Sequence, residues 1–229
     1  MNLQDLNQLK SLFAKHADPT LSHKMKAYMR NQFEFFGIPS PLRKELTTKF
    51  LKEYGYPNED LVAEVITAMW HMDEREFQNA ALQIMDMRKR KFHLDDIQLI
   101  EQLITEKSWW DTVDHIASNH AGHYFSRFPE QLFIADRWMA SDNFWLQRTA
   151  ILYQLKYGHN TDPERLFNYI NMVAHSNEFF IQKAIGWSLR QYSKFNPEAV
   201  IHFVNTTSLS NLSKREAFKV LNRKSSTTS

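Results

Sequence analysis

Cysteine is absent, which excludes a disulfide framework, a thiolate metal site and a cysteine nucleophile, and suits a reducing compartment. Glycine and proline are scarce, 5 and 7 in 229 residues, which leaves little turn chemistry for β-hairpins and points to helices joined by short connections. No segment approaches 18 consecutive apolar residues, and residues 1–5 lack the basic start and apolar run of a signal peptide. The expectation is a soluble intracellular chain, cytoplasmic, with no membrane partner. A strong charge excess is missing too: 28 Lys and Arg stand against 26 Asp and Glu, a net charge of +2 that by itself announces no polyanionic partner. What is plentiful is aromatic, with 17 Phe, 8 Tyr and 6 Trp.

Two of those rings open the most informative stretch, Ser108-Trp109-Trp110-Asp111-Thr112-Val113-Asp114. Ser108 with Asp111 three residues on has the spacing of a helix N-cap whose first turn carries an acid, favoured by the helix dipole. From that start Trp110 and Asp114 are four apart, so an indole and a carboxylate share one helix face.

Along the rest of the chain, apolar residues recur at helical spacing. Residues 3–15 and 21–32 form an opening pair, and Ser40-Pro41 begins a helix that Gly55 stops. Residues 59–71 read as another. Asp73-x-x-Glu76 is the pattern of a capping box opening a long helix, which ends at the basic run Arg88-Lys89-Arg90-Lys91. Residues 94–105 lead to the Ser108 helix, expected to fray near Gly122. Further helices are expected over 129–139, 143–157, 162–175, 177–194 and from Asn196-Pro197, and Ser213-x-x-Glu216 reads as the capping box of a last one. The reading is all-α, with residues 1–224 as a single domain and 225–229 a polar tail.

The helices repeat. Gln78, Gln147 and Gln182 fall in register when Glu76-Phe77-Gln78, Phe144-Trp145-Leu146-Gln147 and Phe179-Phe180-Ile181-Gln182 are aligned, and half of the longer step lands at Thr112-Val113. The period is about 35 residues, that of a helix pair in an α-solenoid. It extends back to Arg43-Lys44 and forward to Ala217-Phe218. The expected fold is an α-solenoid of helix pairs whose second helices line a concave groove, with Lys44, Asn79, Asp114, Arg148 and Lys183 as a ladder across it. Trp187 lies one turn after Lys183, and Lys156 extends the positive character beyond Arg148.

Cationic rungs along a groove suit a phosphate backbone. One carboxylate among them, Asp114, matters because hydrolysis of a glycosidic bond ordinarily takes two, one of which protonates the leaving group. A purine alkylated at N3 or N7 already carries positive charge and leaves neutral. A fixed carboxylate then suffices to stabilise the sugar cation and orient water, and indoles attract the cationic base, at about 0.5–2 kcal/mol each.

At this point the sequence resembles the AlkD family of alkylpurine DNA glycosylases built from HEAT-like repeats. The resemblance rests on six blocks in order: Ala27-Tyr28-Met29-Arg30-Asn31-Gln32-Phe33 with Gly37-Ile38-x-x-Pro41; Glu74-Arg75-Glu76-Phe77-Gln78; Lys107 to Asp114; Ala140-Ser141-Asp142-Asn143-Phe144-Trp145-Leu146-Gln147-Arg148; Phe179 to Trp187; and Leu212-Ser213-Lys214-Arg215-Glu216-Ala217. It implies Asp114 as the catalytic carboxylate, Trp110 and Trp187 as the lesion-cradling indoles and Arg148 as a phosphate-binding residue. It also implies backbone contacts from Tyr28, Arg43, Lys156 and Arg190, and excision without flipping the damaged base. The resemblance further implies that relatives lacking the second N-terminal helix lose activity, and since the matching helix is expected here over 21–32, the active branch is favoured.

The expected partner is therefore double-stranded DNA carrying alkylated purines, met by a monomer acting on the nucleoid. No cofactor and no metal site are expected, since His120 and His123 have no third ligand spaced to join them. The alternative is a non-catalytic helical-repeat scaffold that binds DNA or a protein partner. Asp114 between two indoles argues against it, because a simple binder gains nothing from an anion facing phosphates.

Overall fold

The computed structural model describes residues 1–221, so the expected tail at 225–229 lies outside the described residues. The chain forms two compact units, Met1–Lys91 and the residues from Phe92 on. Among the described residues there is no β-strand, only an isolated bridge between Glu34 and Glu74.

The first unit contains α1 (Leu6–Lys15), α2 (Pro19–Tyr28), α3 (Ser40–Tyr54), α4 (Val62–His71) and α5 (Arg75–Arg88). Asp18 caps α2 through Oδ1, which accepts the amides of Thr20 and Leu21 at 2.8 and 3.0 Å, and Pro19 fills the first helical position. Gly55 ends α3 at φ +79°. The box expected from Asp73 and Glu76 does not form. Glu74 is the N-cap of α5 without a side-chain bond, and Glu76 turns inward instead. Its carboxylate accepts the amides of Phe36, Gly37 and Ile38 at 3.2, 2.9 and 3.1 Å, which ties the loop after α2 to α5. Burial pushes that carboxyl up and the three amide donors oppose it. Leu9, Phe13, Val65, Trp70 and Phe77 fill the core, with Phe13 and Phe77 stacked at 5.4 Å.

The second unit contains α6 (Asp96–Thr105), α7 (Trp110–His115), a π-helical stretch (Ile116–Ala121), α8 (Gly122–Arg127), α9 (Leu132–Met139), α10 (Phe144–Leu152), α11 (Pro163–Val173), α12 (Phe179–Tyr192), α13 (Pro197–Thr206) and α14 (Asn211–Phe218). Where fraying was expected at Gly122, α7, the π-stretch and α8 run on as one helix. Gly122 is there for packing: a Cβ would sit 2.5 Å from the Tyr153 carbonyl oxygen. Likewise α14 is capped by Ser210, which accepts the Ser213 amide, so Glu216 is left free of the expected box.

The repeat has a physical counterpart. Each of the three glutamines donates Nε2 to a carbonyl six residues earlier: Gln78 to Met72 at 2.8 Å, Gln147 to Ser141 at 2.7 Å and Gln182 to Ser176 at 3.0 Å. Each bond holds a helix start to the connection before it and gives a carbonyl of that connection a side-chain donor. The fold is all-α, of the helical-repeat kind.

Candidate functional site

The entry to α7 is built differently from its expected cap. Lys107 takes a left-handed conformation at φ +47°, Ser108 donates its hydroxyl to the Ile104 carbonyl at 2.6 Å, and Trp109, extended, is the N-cap. The helix then buries Thr112 and Val113, while Trp110 and Asp114, one turn apart, stay half-buried. The π-helical stretch begins two residues after Asp114, whose carbonyl accepts the Ser118 hydroxyl at 2.9 Å. Such stretches recur at functional sites because an extra residue per turn re-aims side chains.

Asp114 meets Arg148 of α10 in a two-pronged pair, Nε to Oδ1 at 2.7 Å and Nη2 to Oδ2 at 2.8 Å. The third nitrogen, Nη1, donates to the Phe180 carbonyl at the start of α12, and the guanidinium carbon lies 5.8 Å from the Phe180 ring. Arg148 is 4% exposed and every nitrogen is engaged, whereas the Asp114 side chain keeps 16% of its surface open. Burial pushes the Asp114 carboxyl above the usual range, Arg148 pulls it back by hydrogen bond and charge, and nearby Asp111 adds to the rise.

Behind the pair lies a ring cluster. Trp109 packs on Trp145 at 6.0 Å and on Phe180 at 5.4 Å, Trp145 on Phe180 at 4.9 Å, and Phe144 stacks on Phe180 at 6.3 Å. The Trp109 indole Nε1 is buried with no hydrogen-bond partner, a cost accepted for this packing.

On α12, Lys183, Trp187 and Arg190 follow at helical spacing on one face. Trp187 is half-buried. Both cations close on Glu216 of α14, Lys183 Nζ to Oε1 at 3.0 Å and Arg190 Nη1 to Oε2 at 2.8 Å, with Lys219 Nζ on Oε1 at 2.6 Å. Burial would raise this carboxyl, but the bonds and charges of Lys219 and Lys183 outweigh it and hold it at about 2.

A sequence model of the family described as DNA alkylation repair enzyme matches residues 9–221. The chain belongs to the DNA alkylation repair enzyme family. Among solved structures it is similar to a predicted DNA alkylation repair enzyme from Enterococcus faecalis, at 36% identity and a TM-score of 0.82, over 89% of this chain and 95% of that one. It shares its fold with AlkD2 from Streptococcus mutans at 17% identity and a TM-score of 0.61, over 85% and 98% of the two chains. No curated protein matches the chain.

Of the residues singled out from sequence in this family member, the structure brings Asp114 and Arg148 into direct contact and gathers Lys183 and Arg190 on Glu216. Lys156 is exposed at the end of the 3-10 turn after α10, its ammonium on the Asn119 side-chain oxygen in the π-stretch. Tyr28, Arg43 and Lys44 belong to the first unit. Tyr28 is 70% exposed and Lys44 is exposed, but Arg43 is 6% exposed, its guanidinium pushed down to about 10 by burial against the opposing pull of Glu76. Glu216 and Phe180 were missed as site residues. Glu216 was assigned to a cap, although a glutamate three before Lys219 carried the signal of an ion pair; nothing in the sequence marks a backbone carbonyl such as that of Phe180.

Proposed function

We propose that this family member is a monofunctional DNA glycosylase that hydrolyses the N-glycosidic bond of cationic N3- and N7-alkylated purines in duplex DNA without flipping the base. The observation that supports it is the Asp114–Arg148 pair: a carboxylate held in one orientation by a two-pronged guanidinium, with an open edge and an indole, Trp110, one turn away on the same helix. Pre-orientation of this kind lets a fixed charge meet a cation as it forms, with no reorganisation left to do.

In this reading the bond from the sugar anomeric carbon to the base nitrogen breaks with its electron pair going to the base, which leaves neutral and needs no acid. The Asp114 carboxylate faces the sugar cation and accepts a hydrogen bond from the attacking water. The water oxygen bonds to the anomeric carbon and its proton passes to Asp114 and on to solvent. Arg148 acts through Asp114, fixing its position. Trp110 and Trp187 contact the lesion, while Lys156, Lys183 and Arg190, together with Tyr28 and Lys44 of the first unit, contact the duplex backbone.

The test is release of free base from a duplex carrying N7-methylguanine, followed with the wild-type chain. Time-dependent release supports the reading. DNA binding without release favours the scaffold alternative.

A further inference from the structure

Glu216 carries three cations where one would neutralise it. The carboxylate is 5% exposed, but the side chains of Lys183, Arg190 and Lys219 are 35%, 25% and 49% exposed, so one buried negative charge organises three positive groups that still face water. Two of them belong to α12, one turn before and one turn after Trp187. The contact is made possible by Gly186, beside Trp187: a Cβ there would meet the Glu216 Cβ at 2.4 Å and the Ser213 carbonyl oxygen at 2.9 Å. Ser213 also donates its hydroxyl to the Gln182 carbonyl at 2.9 Å, a second bond between the two helices next to Lys183.

Lysine and arginine side chains lose much rotamer freedom when they are ordered, and in most DNA-binding surfaces that loss falls on the binding step. Here the cations are already held on Glu216 before any phosphate arrives. Lysine has three donors and arginine five, and one of each is used here on Glu216, which leaves donors for a second anion.

We propose that Glu216 is a positioning residue for DNA binding: from α14 it grips Lys183 and Arg190 on either side of Trp187, so that the two cations meet the phosphate strand as one fixed clamp and set the register of Trp187 on the duplex. This rests on the glycosylase reading above for its effect on base release, but not for its effect on DNA binding.

Glu216→Gln keeps the size of the side chain and one acceptor oxygen but removes the charge and turns the other oxygen into an amide donor, so the three-cation grip loosens. With an undamaged duplex, the slope of log affinity against log salt steepens by about one, since one positive charge is no longer compensated. With a duplex carrying N7-methylguanine, single-turnover release at saturating protein falls at least about fivefold, because a mobile clamp no longer fixes the near-attack alignment. In a Lys183→Met, Arg190→Met background the same Glu216→Gln change brings no further loss of release, which an effect through general packing would not produce, while the slope still reports the cation freed at Lys219. A salt slope and saturated release both unchanged, with only the melting temperature lowered, overturns the proposal, as does an undiminished release defect in the double-Met background. Should Glu216→Gln not fold, Glu216→Asp retains the charge one methylene short and should show the release defect with an unchanged slope; wild-type release by this variant counts against the clamp. A wild-type chain that binds DNA but releases no base sinks the glycosylase reading, and the salt-slope measurements still decide the clamp.

Discussion

At the scale of single residues, Asp114 is the sharpest test. Asp114→Asn keeps the shape and one acceptor for Arg148 but removes the charge, so base release should fall at least about a hundredfold while DNA affinity holds or rises. Single-turnover release at the wild-type rate would sink the assignment. Arg148 is not an open phosphate ligand in this geometry, because it is 4% exposed and each of its nitrogens is already bonded to Asp114 or the Phe180 carbonyl. Arg148→Ala should therefore leave the salt slope of DNA binding nearly unchanged, yet cost about 3 kcal/mol of stability by stranding a buried carboxylate. It should also shift the pH dependence. The proposed reaction uses Asp114 ionised, so on that reading release falls as pH drops through its pKa. Burial already raises that value above the ordinary aspartate range near about 4, and Arg148 opposes the rise. Without Arg148 the acid limb moves to higher pH, and a pH–rate profile of the variant that overlays the wild type would show that the pair does not tune the carboxylate. Glu216 has the opposite sign. Its folded pKa of about 2 lies below the ordinary glutamate value near about 4, so its contribution to stability is whole above the unfolded value and is lost as pH falls toward 2.

At the scale of elements, the glutamine bonds show why the period was legible in the sequence. A residue three or four positions into a helix that must reach a carbonyl six back is constrained in type and spacing, so Gln78, Gln147 and Gln182 stand out among residues that merely need to be apolar. Gln147→Ala, or its counterparts, should cost about 1 kcal/mol in urea unfolding. Asp114 and Arg148 were legible as neighbours for the same reason, since a helix-pair repeat puts equivalent positions on adjacent packed helices. Caps were read less well. The Asp73-to-Glu76 and Ser213-to-Glu216 spacings fit a capping box, but both glutamates are drawn away by stronger partners that lie far along the chain, three loop amides in one case and the two α12 cations, joined by nearby Lys219, in the other. Local pattern cannot weigh a contact made 26 to 40 residues away. Glycine misled in a similar way: Gly122 was taken as a helix weakness, when the Tyr153 carbonyl requires its missing side chain. Gly122→Ala and Gly186→Ala should each destabilise by about 2 kcal/mol or more, because the added methyl meets backbone or a packed Cβ rather than a flexible tip. A gain of stability from either, as expected for Gly→Ala in an unhindered helix, would mean that the helices stand further apart.

At the scale of the whole molecule, the proposed glycosylase would select damage through charge rather than shape. Asp114 has its acceptor atoms on Arg148 and an open edge toward solvent, an arrangement suited to facing a cation and unsuited to donating a proton at neutral pH. Bases that depart neutral from a cationic adduct, such as N3-methyladenine and N7-methylguanine, should be released. Neutral lesions such as hypoxanthine or uracil need protonation to leave and should remain. If the base stays in the duplex during excision, recognition falls on the sugar and backbone, through the exposed cations and the half-buried indoles, and no pocket has to close around the substituent. A bulky group on N7 should then slow release by less than about tenfold relative to methyl, provided the positive charge is kept. The measurement is release of three adducts from one duplex sequence: a methyl cation, a bulky cation and a neutral base. Loss of the bulky cation alone would indicate an enclosing pocket and base flipping, and excision of the neutral base would require a proton donor that Asp114, clamped by Arg148, does not provide.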